Sequence, residues 1–328
     1  MGKFVSPQEM ASLLAGCAGR LVLVSHLRPD GDAAGSALAL CSALNNAGVN
    51  AVCVGIEPLA DEYDYLEGLA DVIPAMEYAP LPGDAMVVMD CGSFGRLQEP
   101  LRTHAAKIAT FCIDHHKDYA GFAEYAFVTV GASSTAEMVM EIIEAGGFTL
   151  TRGIAEALWT GITMDTGRFS YSAVTSDTLR RAARLVDAGA RFAWINERIF
   201  GRMDWKRIML RRRLLDSLEV SNGGKTVIAS LGPRDYAAEN CDASDSDSFI
   251  DIVRSVSGTD IAVFLRKVMP ESAVKISMRT TEKFDAAEIC KAEWGGGGHA
   301  RAAGADIPGE IDAVRAAIFA RIRDIAEG

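Results

Sequence analysis

Short, largely uninterrupted apolar runs, separated by helix-like stretches, constrain the fold of this chain more than any other feature of its sequence. Four such runs occupy residues 21–24, 51–54, 86–89 and 108–113. Apolar runs without alternating polar residues are typical of strands buried on both faces. Residues 33–47, which end before Gly48, predict a helix between the first two runs. We therefore predict an α/β fold with a parallel sheet covered by helices on both faces.

Three more helices are predicted before residue 190. Ser134 begins the first, which runs to Ala145, and Glu137 stands three residues later. That spacing predicts a capping box, in which each side chain accepts the other residue's backbone N–H. The other two predicted helices span residues 153–164 and 176–188.

Composition changes after Gly189, and a basic helix-like stretch follows at 202–219. Its cations are Arg202, Lys206, Arg207, Arg211, Arg212 and Arg213. This stretch fits either a solvated linker helix or a positive wall that attracts phosphate towards a cleft between domains.

The last third of the chain predicts a smaller α+β domain. Strands are expected at 226–231, 261–268 and 273–278, and helices at 249–256, 286–292 and 311–325. The predicted organisation is a catalytic domain at 1–190, a helical linker at 191–219 and a second domain at 220–328.

Charge excludes one class of function. The 328 residues carry a formal net charge of −11. Tight, nonspecific binding to long nucleic acid needs many cationic contacts with phosphates, so it is not expected. A small anionic substrate remains compatible, because metal ions or arginines can reverse the sign of charge locally.

The cysteines and the N-terminus predict a cytoplasmic protein. Seven cysteines occur without a Cys-x-x-Cys pair, which fits buried thiols in a reducing compartment. Residues 1–20 lack the pattern of a secretory signal, and no apolar run reaches the roughly 20 residues that span a membrane. We therefore expect no membrane association.

The first motif with chemical potential is the stretch 25–36, which follows a predicted strand and begins a helix. It contains His26, Asp30 and Asp32 around a turn formed by Pro29 and Gly31. Sites in open α/β sheets form beyond the carboxyl ends of strands. One imidazole and two carboxylates suit Mn²⁺ or Mg²⁺. The alternative is a simple turn in which Asp32 caps the helix.

Three later motifs repeat this pattern. Asp90 and the sequence Asp114-His115-His116 each end a predicted strand, and Asp165 lies where a predicted helix stops. A strand-ending aspartate is common at loop starts, and Asp165 alone fits a helix-ending turn. Contiguous histidines just beyond a strand can both face one cleft. The sequence Asp114-His115-His116 is therefore the more specific signal.

A glycine run, 295–298, precedes His299 in the second domain. Glycines allow backbone N–H groups to approach an anion, and His299 and Arg279 can then bind a terminal phosphate. A flexible turn is the alternative for the run. Arg301 either belongs to this motif or faces solvent.

The order of these motifs resembles the DHH phosphoesterase family, and the resemblance extends over nearly the whole chain. That family includes RecJ-type exonucleases, cyclic dinucleotide phosphodiesterases and the nanoRNase/pAp phosphatases. Residues 133–135 and 165–169 are most similar to the last branch, and residues 295–304 resemble the substrate-binding signature of the DHH-associated domain.

The resemblance implies a role for each matching residue. One metal ion is assigned to His26, Asp30 and Asp90, and the other to Asp32, Asp90, His115 and Asp165. His116 and Asp90 are the implied catalytic residues, and Asp114 orients a neighbouring imidazole. The implied substrate-binding residues are Arg279, Gly297, Gly298 and His299.

These assignments predict a two-metal phosphoesterase that uses Mn²⁺, with Mg²⁺ or Co²⁺ as alternatives. The expected substrates are short single-stranded RNA or DNA oligonucleotides, dinucleotides and the bisphosphorylated nucleotide pAp. A phosphodiesterase acting on cyclic-di-AMP or another cyclic dinucleotide is the rival enzyme, and a nucleotide-binding regulator is the rival without catalysis. The resemblance also points to a homodimer.

Overall fold

A computed structural model describes residues 2–57, 59–117 and 119–327. The chain divides into two compact units, Met1–Arg202 and Met203–Gly328. Each unit contains a six-stranded sheet. None of the described helices is long and apolar enough to span a membrane.

The sheet of the first unit is entirely parallel, with the strand order β1-β6-β5-β4-β2-β3. Its strands are β1 Lys3–Phe4, β2 Leu21–Val24, β3 Ala51–Cys53, β4 Ala85–Met89, β5 Ala109–Asp114 and β6 Tyr125–Val128. Strands β5, β4 and β2 are adjacent, so their carboxyl ends meet at one edge of the sheet. The four apolar runs of the sequence coincide with β2 to β5.

Seven helices and several short helical turns complete the described part of this unit, and an eighth helix begins the second unit. The helices of the first unit are α1 Pro7–Ala15, α2 Gly31–Asn46, α3 Leu101–Ile108, α4 Thr135–Gly146, α5 Arg152–Asp165, α6 Ser176–Asp187 and α7 Phe192–Asn196. A π-helical turn follows at Glu197–Gly201, and α8 Trp205–Asp216 begins the second unit.

Alternate residues of the central strands face two separate cores. Leu21 and Leu23 pack into a large core with α1, α2, α4 and α5. Val22 and Val24 pack on the opposite face, in a core that includes Leu101 from α3. The prediction of a parallel sheet with helices on both faces is therefore confirmed.

The second unit contains a mixed sheet in the order β11-β12-β10-β9-β8-β7, in which only the β8–β9 pair is parallel among the described pairs. Its strands are β7 Glu219–Ser221, β8 Thr226–Leu231, β9 Ile261–Arg266, β10 Val274–Thr280, β11 Gly297–His299 and β12 Ala302–Ile307. Its remaining helices are α9 Pro233–Glu239, α10 Phe249–Arg254, α11 Ala286–Trp294 and α12 Ile311–Glu327. The predicted α+β class is confirmed.

Local chemistry differs from expectation at two helix starts. Asp30, not Asp32, caps α2, and its side chain accepts the N–H groups of Asp32 and Ala33. Ser134 caps α4 as predicted, and its hydroxyl accepts the N–H of Glu137. The second hydrogen bond of the predicted capping box, from the N–H of Ser134 to the Glu137 side chain, is wrong. The carboxylate of Glu137 accepts hydrogen bonds from Ser133, because it turns towards that residue's hydroxyl and N–H.

The basic stretch around α8 is largely neutralised within its own unit or its own segment. Ion pairs join Arg202 to Glu197, Lys206 to Asp245, Arg212 to Asp216, and Arg213 to Glu239 and Asp235. Arg207 donates to the backbone oxygen of Asp245. These contacts favour the solvated helix over a positive wall, because paired cations contribute little net field.

Candidate metal centre

The carboxyl ends of three neighbouring strands place the candidate ligands together. Asp90 follows β4 directly, Asp114 is the last residue of β5, and His26 lies two residues beyond β2. The backbone N–H of Asp90 donates to the carbonyl of Ile113 at 2.9 Å, which ties the end of β4 to β5. Asp165, the last residue of α5, reaches the same edge.

Asp90 lies at the centre of this arrangement. Its side chain is 3 % exposed, and its two oxygens face different partners: Oδ2 lies 3.6 Å from His26 Nε2 and Oδ1 lies 3.5 Å from His115 Nε2. The hydroxyl of Thr135 donates to Oδ1 at 2.9 Å. Asp90 has a φ of 53°, a left-handed conformation that is uncommon outside glycine. This strained backbone is consistent with a functional constraint on its side chain.

Backbone carbonyls orient two of the imidazoles. His26 Nδ1 lies 3.0 Å from the carbonyl oxygen of Leu27, and His115 Nδ1 lies 3.3 Å from that of Ala132. A carbonyl only accepts hydrogen bonds, so each Nδ1 carries a proton and donates it to the carbonyl, and each Nε2 faces the site. The same arrangement orients metal-binding histidines in many proteins.

His115 also lies beside Asp165, at 3.1 Å between Nε2 and Oδ2. The Nε2 atom is buried and forms no hydrogen bond of good geometry with any described residue. A buried nitrogen without such a partner is costly unless another group, such as a cation, completes its environment.

His116 is held differently. Its Nδ1 lies 2.7 Å from Asp114 Oδ1, and its backbone N–H donates to the same oxygen at 3.2 Å. Asp114 is fully buried, whereas 35 % of the His116 side chain is exposed. Asp114 therefore orients the His116 ring and leaves its Nε2 available to a substrate.

Asp32 is fixed by contacts that we did not predict. Its Oδ2 accepts the backbone N–H of Thr135 at 2.7 Å, and its Oδ1 accepts that of Ala136 at 2.9 Å. These N–H groups are at the start of α4, where helices leave donors unsatisfied and where the helix dipole favours an anion. The sequence signal that could have revealed them is Ser134, the N-cap residue that marks this helix end.

Burial and charge perturb the acid groups of the centre. Burial and the nearby carboxylates of Asp165 and Asp90 raise the pKa of Asp32 well above its usual value. Burial likewise raises the pKa of Asp165, with His115 opposing and Asp30 adding to the increase. Two carboxyl groups with raised pKa values indicate excess negative charge, which divalent cations relieve.

The imidazoles show the opposite response. Burial disfavours protonation of His115, but the neighbouring carboxylates of Asp165 and Asp90 outweigh burial and raise the pKa of His115 to about 11. Burial alone would raise the pKa of Asp90, but the imidazoles of His115 and His26 outweigh burial and lower this pKa.

The donor set fits hard divalent cations. Three groups each have one donor atom per residue, all within 4.8 Å of one another: His26, Asp30 and Asp90; Asp32, His115 and Asp165; and Asp90, His115 and His116. Two ligands on one octahedral ion with bonds of about 2.1 Å lie about 3 Å apart, comparable to the 3.1 Å between His115 and Asp165. Mixed imidazole and carboxylate ligands suit Mn²⁺ and related ions.

The predicted substrate-binding residues lie in the second unit, where the side chains of Arg279 and His299 are on one face of the sheet. Arg279 pairs with Ala302, and Ala302 pairs with His299, so these three side chains share a face. On the same face, Gly297 pairs with Gly304. Part of the glycine run thus forms an edge strand instead of a flexible turn, and His299 is exposed.

Arg301 does more than face solvent. Its guanidinium donates to the carbonyls of Thr281, Phe284 and Glu282. It therefore fastens the turn between β11 and β12 to the loop that precedes α11.

Comparisons with known proteins match both units. Residues 20–162 match the N-terminal domain of the DHH family, and residues 223–324 match the DHHA1 domain. A Thermus thermophilus protein named bifunctional oligoribonuclease and PAP phosphatase NrnA is 33% identical, over 96% of this chain and 93% of that protein. This chain belongs to the DHH family.

Other relatives agree with this assignment. A Bacillus subtilis protein of the same name is 24% identical over 88% of this chain and 89% of its own. The fold resembles that of an exopolyphosphatase-related protein from Bacteroides fragilis, with a TM-score of 0.87, 23% identity, and coverage of 97% and 95% of the two chains. An exonuclease RecJ solved with manganese shares the fold more distantly, with a TM-score of 0.51, 14% identity, and coverage of 99% and 95%. The family resemblance inferred from the motifs is confirmed.

Proposed function

We propose that this protein is a two-metal phosphoesterase that hydrolyses short oligonucleotides and dinucleotides to mononucleotides, and pAp to AMP. The observation that carries the proposal is the convergence of three aspartates and two histidines around a fourth aspartate, Asp90. The names of the Thermus and Bacillus relatives support the same pair of activities. They favour neither a cyclic dinucleotide phosphodiesterase nor a regulator without catalysis.

The ions are assigned to two ligand groups that share Asp90. His26, Asp30 and Asp90 would hold one, and Asp32, Asp90, His115 and Asp165 would hold the other. Divalent ions here would supply Lewis-acid chemistry, which lowers the pKa of water and neutralises charge on a phosphoryl group. We propose Mn²⁺ as the physiological ion.

The protein's own groups position the ligand side chains and supply a proton to the substrate. The helix start at Thr135 and Ala136 fixes Asp32, and two backbone carbonyls fix the rings of His26 and His115. The hydrogen bond with Asp114 raises the pKa of His116 against the opposing effect of burial. A protonated His116 can donate from Nε2 to an oxygen of the scissile phosphate, stabilising charge that develops there.

Manganese should stabilise the folded protein, because the carboxylate cluster is repulsive without cations. At a Mn²⁺ concentration 100 times the Kd, linkage gives about 2.7 kcal/mol. For a unit of this size, that corresponds to a Tm increase of roughly 5 to 10 °C. Differential scanning calorimetry with and without MnCl₂ measures it. An equal increase in Asp165→Asn would contradict the ligand assignment.

Arg279 and His299 are proposed to bind a terminal phosphate of the substrate, with the backbone of Gly297 and Gly298 beside them. Arg279→Ala should raise KM for pAp by about 10- to 100-fold, because hydrogen bonds to charged groups contribute about 1.5–3 kcal/mol. The value of kcat should change by less than about threefold. Steady-state kinetics test this.

Lys291→Gln is the matched control for that variant. Lys291 is an exposed cation on α11, in the same unit, and its removal should leave KM unchanged. An equal rise in KM for both variants would indicate a general charge effect and count against the assigned contact.

A substrate panel tests the proposed activity directly. Hydrolysis of pAp, pApA, pGpG, short RNA, short DNA, cyclic-di-AMP and pyrophosphate should be compared in Mn²⁺. We expect the highest kcat/KM with pAp, linear dinucleotides and short oligonucleotides. A clear preference for cyclic-di-AMP would support the rival enzyme, and nucleotide binding without turnover would support the regulator.

We also propose that the protein acts as a homodimer in the cytoplasm, as the family resemblance implies. Sedimentation equilibrium would give twice the monomer mass if the assembly is correct.

A further inference from the structure

Residues 132–136, at the start of α4, contact three of the candidate ligands at once. The carbonyl of the first of these residues lies 3.3 Å from His115 Nδ1. The N–H of Thr135 donates to Asp32 Oδ2 at 2.7 Å, and its hydroxyl donates to Asp90 Oδ1 at 2.9 Å. The conformation of this segment therefore determines how three ligand side chains are oriented.

The ligands that the 132–136 segment contacts all belong to one of the two proposed ions. This second ion is the one assigned to Asp32, Asp90, His115 and Asp165. Asp90 is shared between the ions, but the hydroxyl of Thr135 donates to its Oδ1, the oxygen on the side of His115. The other oxygen, Oδ2, faces His26. A change in the segment should therefore affect the second ion more than the first.

A buried carboxylate fastens the 132–136 segment to the body of α4. The side chain of Glu137 accepts two hydrogen bonds from Ser133, one from its hydroxyl at 2.6 Å and one from its backbone N–H at 3.1 Å. Glu137 is 3 % exposed. Because Ser133 lies within the segment, the carboxylate fixes the backbone between the carbonyl that orients His115 and the N–H that binds Asp32.

Two residues of α6 hold this carboxylate from its other side. The hydroxyl of Thr178 lies 3.2 Å from both oxygens of Glu137, and a carboxylate only accepts, so the hydroxyl donates. Arg181 forms an ion pair with Glu137 and a second one with Glu141 at 2.6 Å. A buried anion is costly unless it is paired and hydrogen-bonded. These contacts therefore stabilise the charged form of Glu137 that binds Ser133.

We propose that Arg181 and Thr178 are positioning residues for the second ion, which act through Glu137 and the 132–136 segment. This inference rests on the proposed function and adds residues on α6 that contact no candidate ligand among the described hydrogen bonds. Outer contacts of this kind orient metal ligands, and their loss lowers metal affinity. The simpler alternative is that the ion pair only joins α6 to α4.

Arg181→Gln tests the proposal beside a matched control, Arg184→Gln. Arg184 lies on the same helix and forms an ion pair with Glu144 of α4, so it joins the same two helices without contacting the 132–136 segment. Titration with MnCl₂, followed by the electron paramagnetic resonance signal of the free ion, counts the bound ions in the absence of substrate.

We expect the wild type and Arg184→Gln to bind two ions with the same pair of Kd values. In Arg181→Gln, the Kd of one ion should rise about tenfold or more, and the Kd of the other by less than about threefold. Thr178→Val removes only the hydroxyl donor and should weaken the same ion.

Asp165→Asn identifies which ion is affected, because it removes a ligand assigned to the second ion alone. When Arg181→Gln is added to Asp165→Asn, the Kd of the remaining ion should not change further. Ser133→Ala approaches the same contact from the opposite end and leaves the ion pair of Glu137 intact. It should also weaken the second ion, and it serves as the test if Arg181→Gln does not fold.

Equal losses of affinity for both ions, or a lower Tm with both Kd values unchanged, would show that Arg181 only stabilises the fold. An equal change in Arg184→Gln would show the same, and each of these results overturns the proposal. A wild type that binds two ions but hydrolyses neither pAp nor dinucleotides would refute the proposed activity and leave the positioning result in place.

Discussion

Asp90→Asn is expected to abolish manganese-dependent hydrolysis, with kcat/KM falling by roughly a thousandfold or more. The side chains of His26 and His115 approach opposite oxygens of this carboxylate, so one substitution removes a negative ligand from both proposed ions. An amide presents only one oxygen and no charge. Loss of metal affinity and loss of charge compensation therefore act together.

The fold should survive this change. The asparagine oxygen can still accept the hydroxyl proton of Thr135, and the side chain keeps its volume. Asp187→Asn is the control, since Asp187 is an exposed acid at the end of α6. Kinetics with pAp and Mn²⁺ binding by isothermal titration calorimetry should be measured on both variants. More than a tenth of wild-type activity in Asp90→Asn would remove Asp90 from the centre.

The sequence predicted those strands whose burial alone determines their conformation. Residues 21–24 and 226–231 were predicted with the observed bounds, because short segments rich in Val, Ile and Leu are typical of strands buried in a sheet. Strand β12 was missed for the opposite reason. Its sequence Ala302-Ala303-Gly304-Ala305 has low β propensity, and pairing with β10 determines its conformation instead.

The candidate site was predictable where it follows the strand-end rule. His26, Asp90 and Asp114 stand at or just beyond the carboxyl ends of adjacent parallel strands. Asp165 ends a helix 51 residues after Asp114 in the numbering of the chain, so no local pattern places it at this edge. Its assignment depended on the resemblance to a family.

Contacts between distant segments were beyond sequence reasoning. Asp32 binds the N–H groups of Thr135 and Ala136, which are more than 100 residues away in the chain. The strain at Asp90 was equally invisible, because backbone dihedral angles of this kind arise from tertiary packing. Such contacts determine how the ligand side chains are oriented. The residue types in the sequence reveal only which donor atoms are available.

Gly161→Ala should both destabilise the protein and inactivate the site, although alanine is the better helix former. In α5, a Cβ at residue 161 would lie 2.5 Å from Asp32 Oδ1, 2.5 Å from the Cβ of Ala136 and 3.2 Å from the Cα of Asp32. Helix α5 packs against α2 and α4 at this point, so the helices must separate or Asp32 must move. Overpacking of this kind costs about 1–3 kcal/mol.

In an open helix, glycine to alanine gains about 1 kcal/mol. Gly95→Ala is the control, because the nearest atom to its added Cβ would be 3.9 Å away, and we expect its Tm and kcat/KM to be those of the wild type. The double variant Gly161→Ala, Ala136→Gly removes the contact between two Cβ atoms but not the contact with Asp32. It should regain part of the Tm lost and little of the activity, because the ligand oxygen remains displaced. Full recovery of kcat/KM in the double variant would show that the contact with Asp32 is not what inactivates the site.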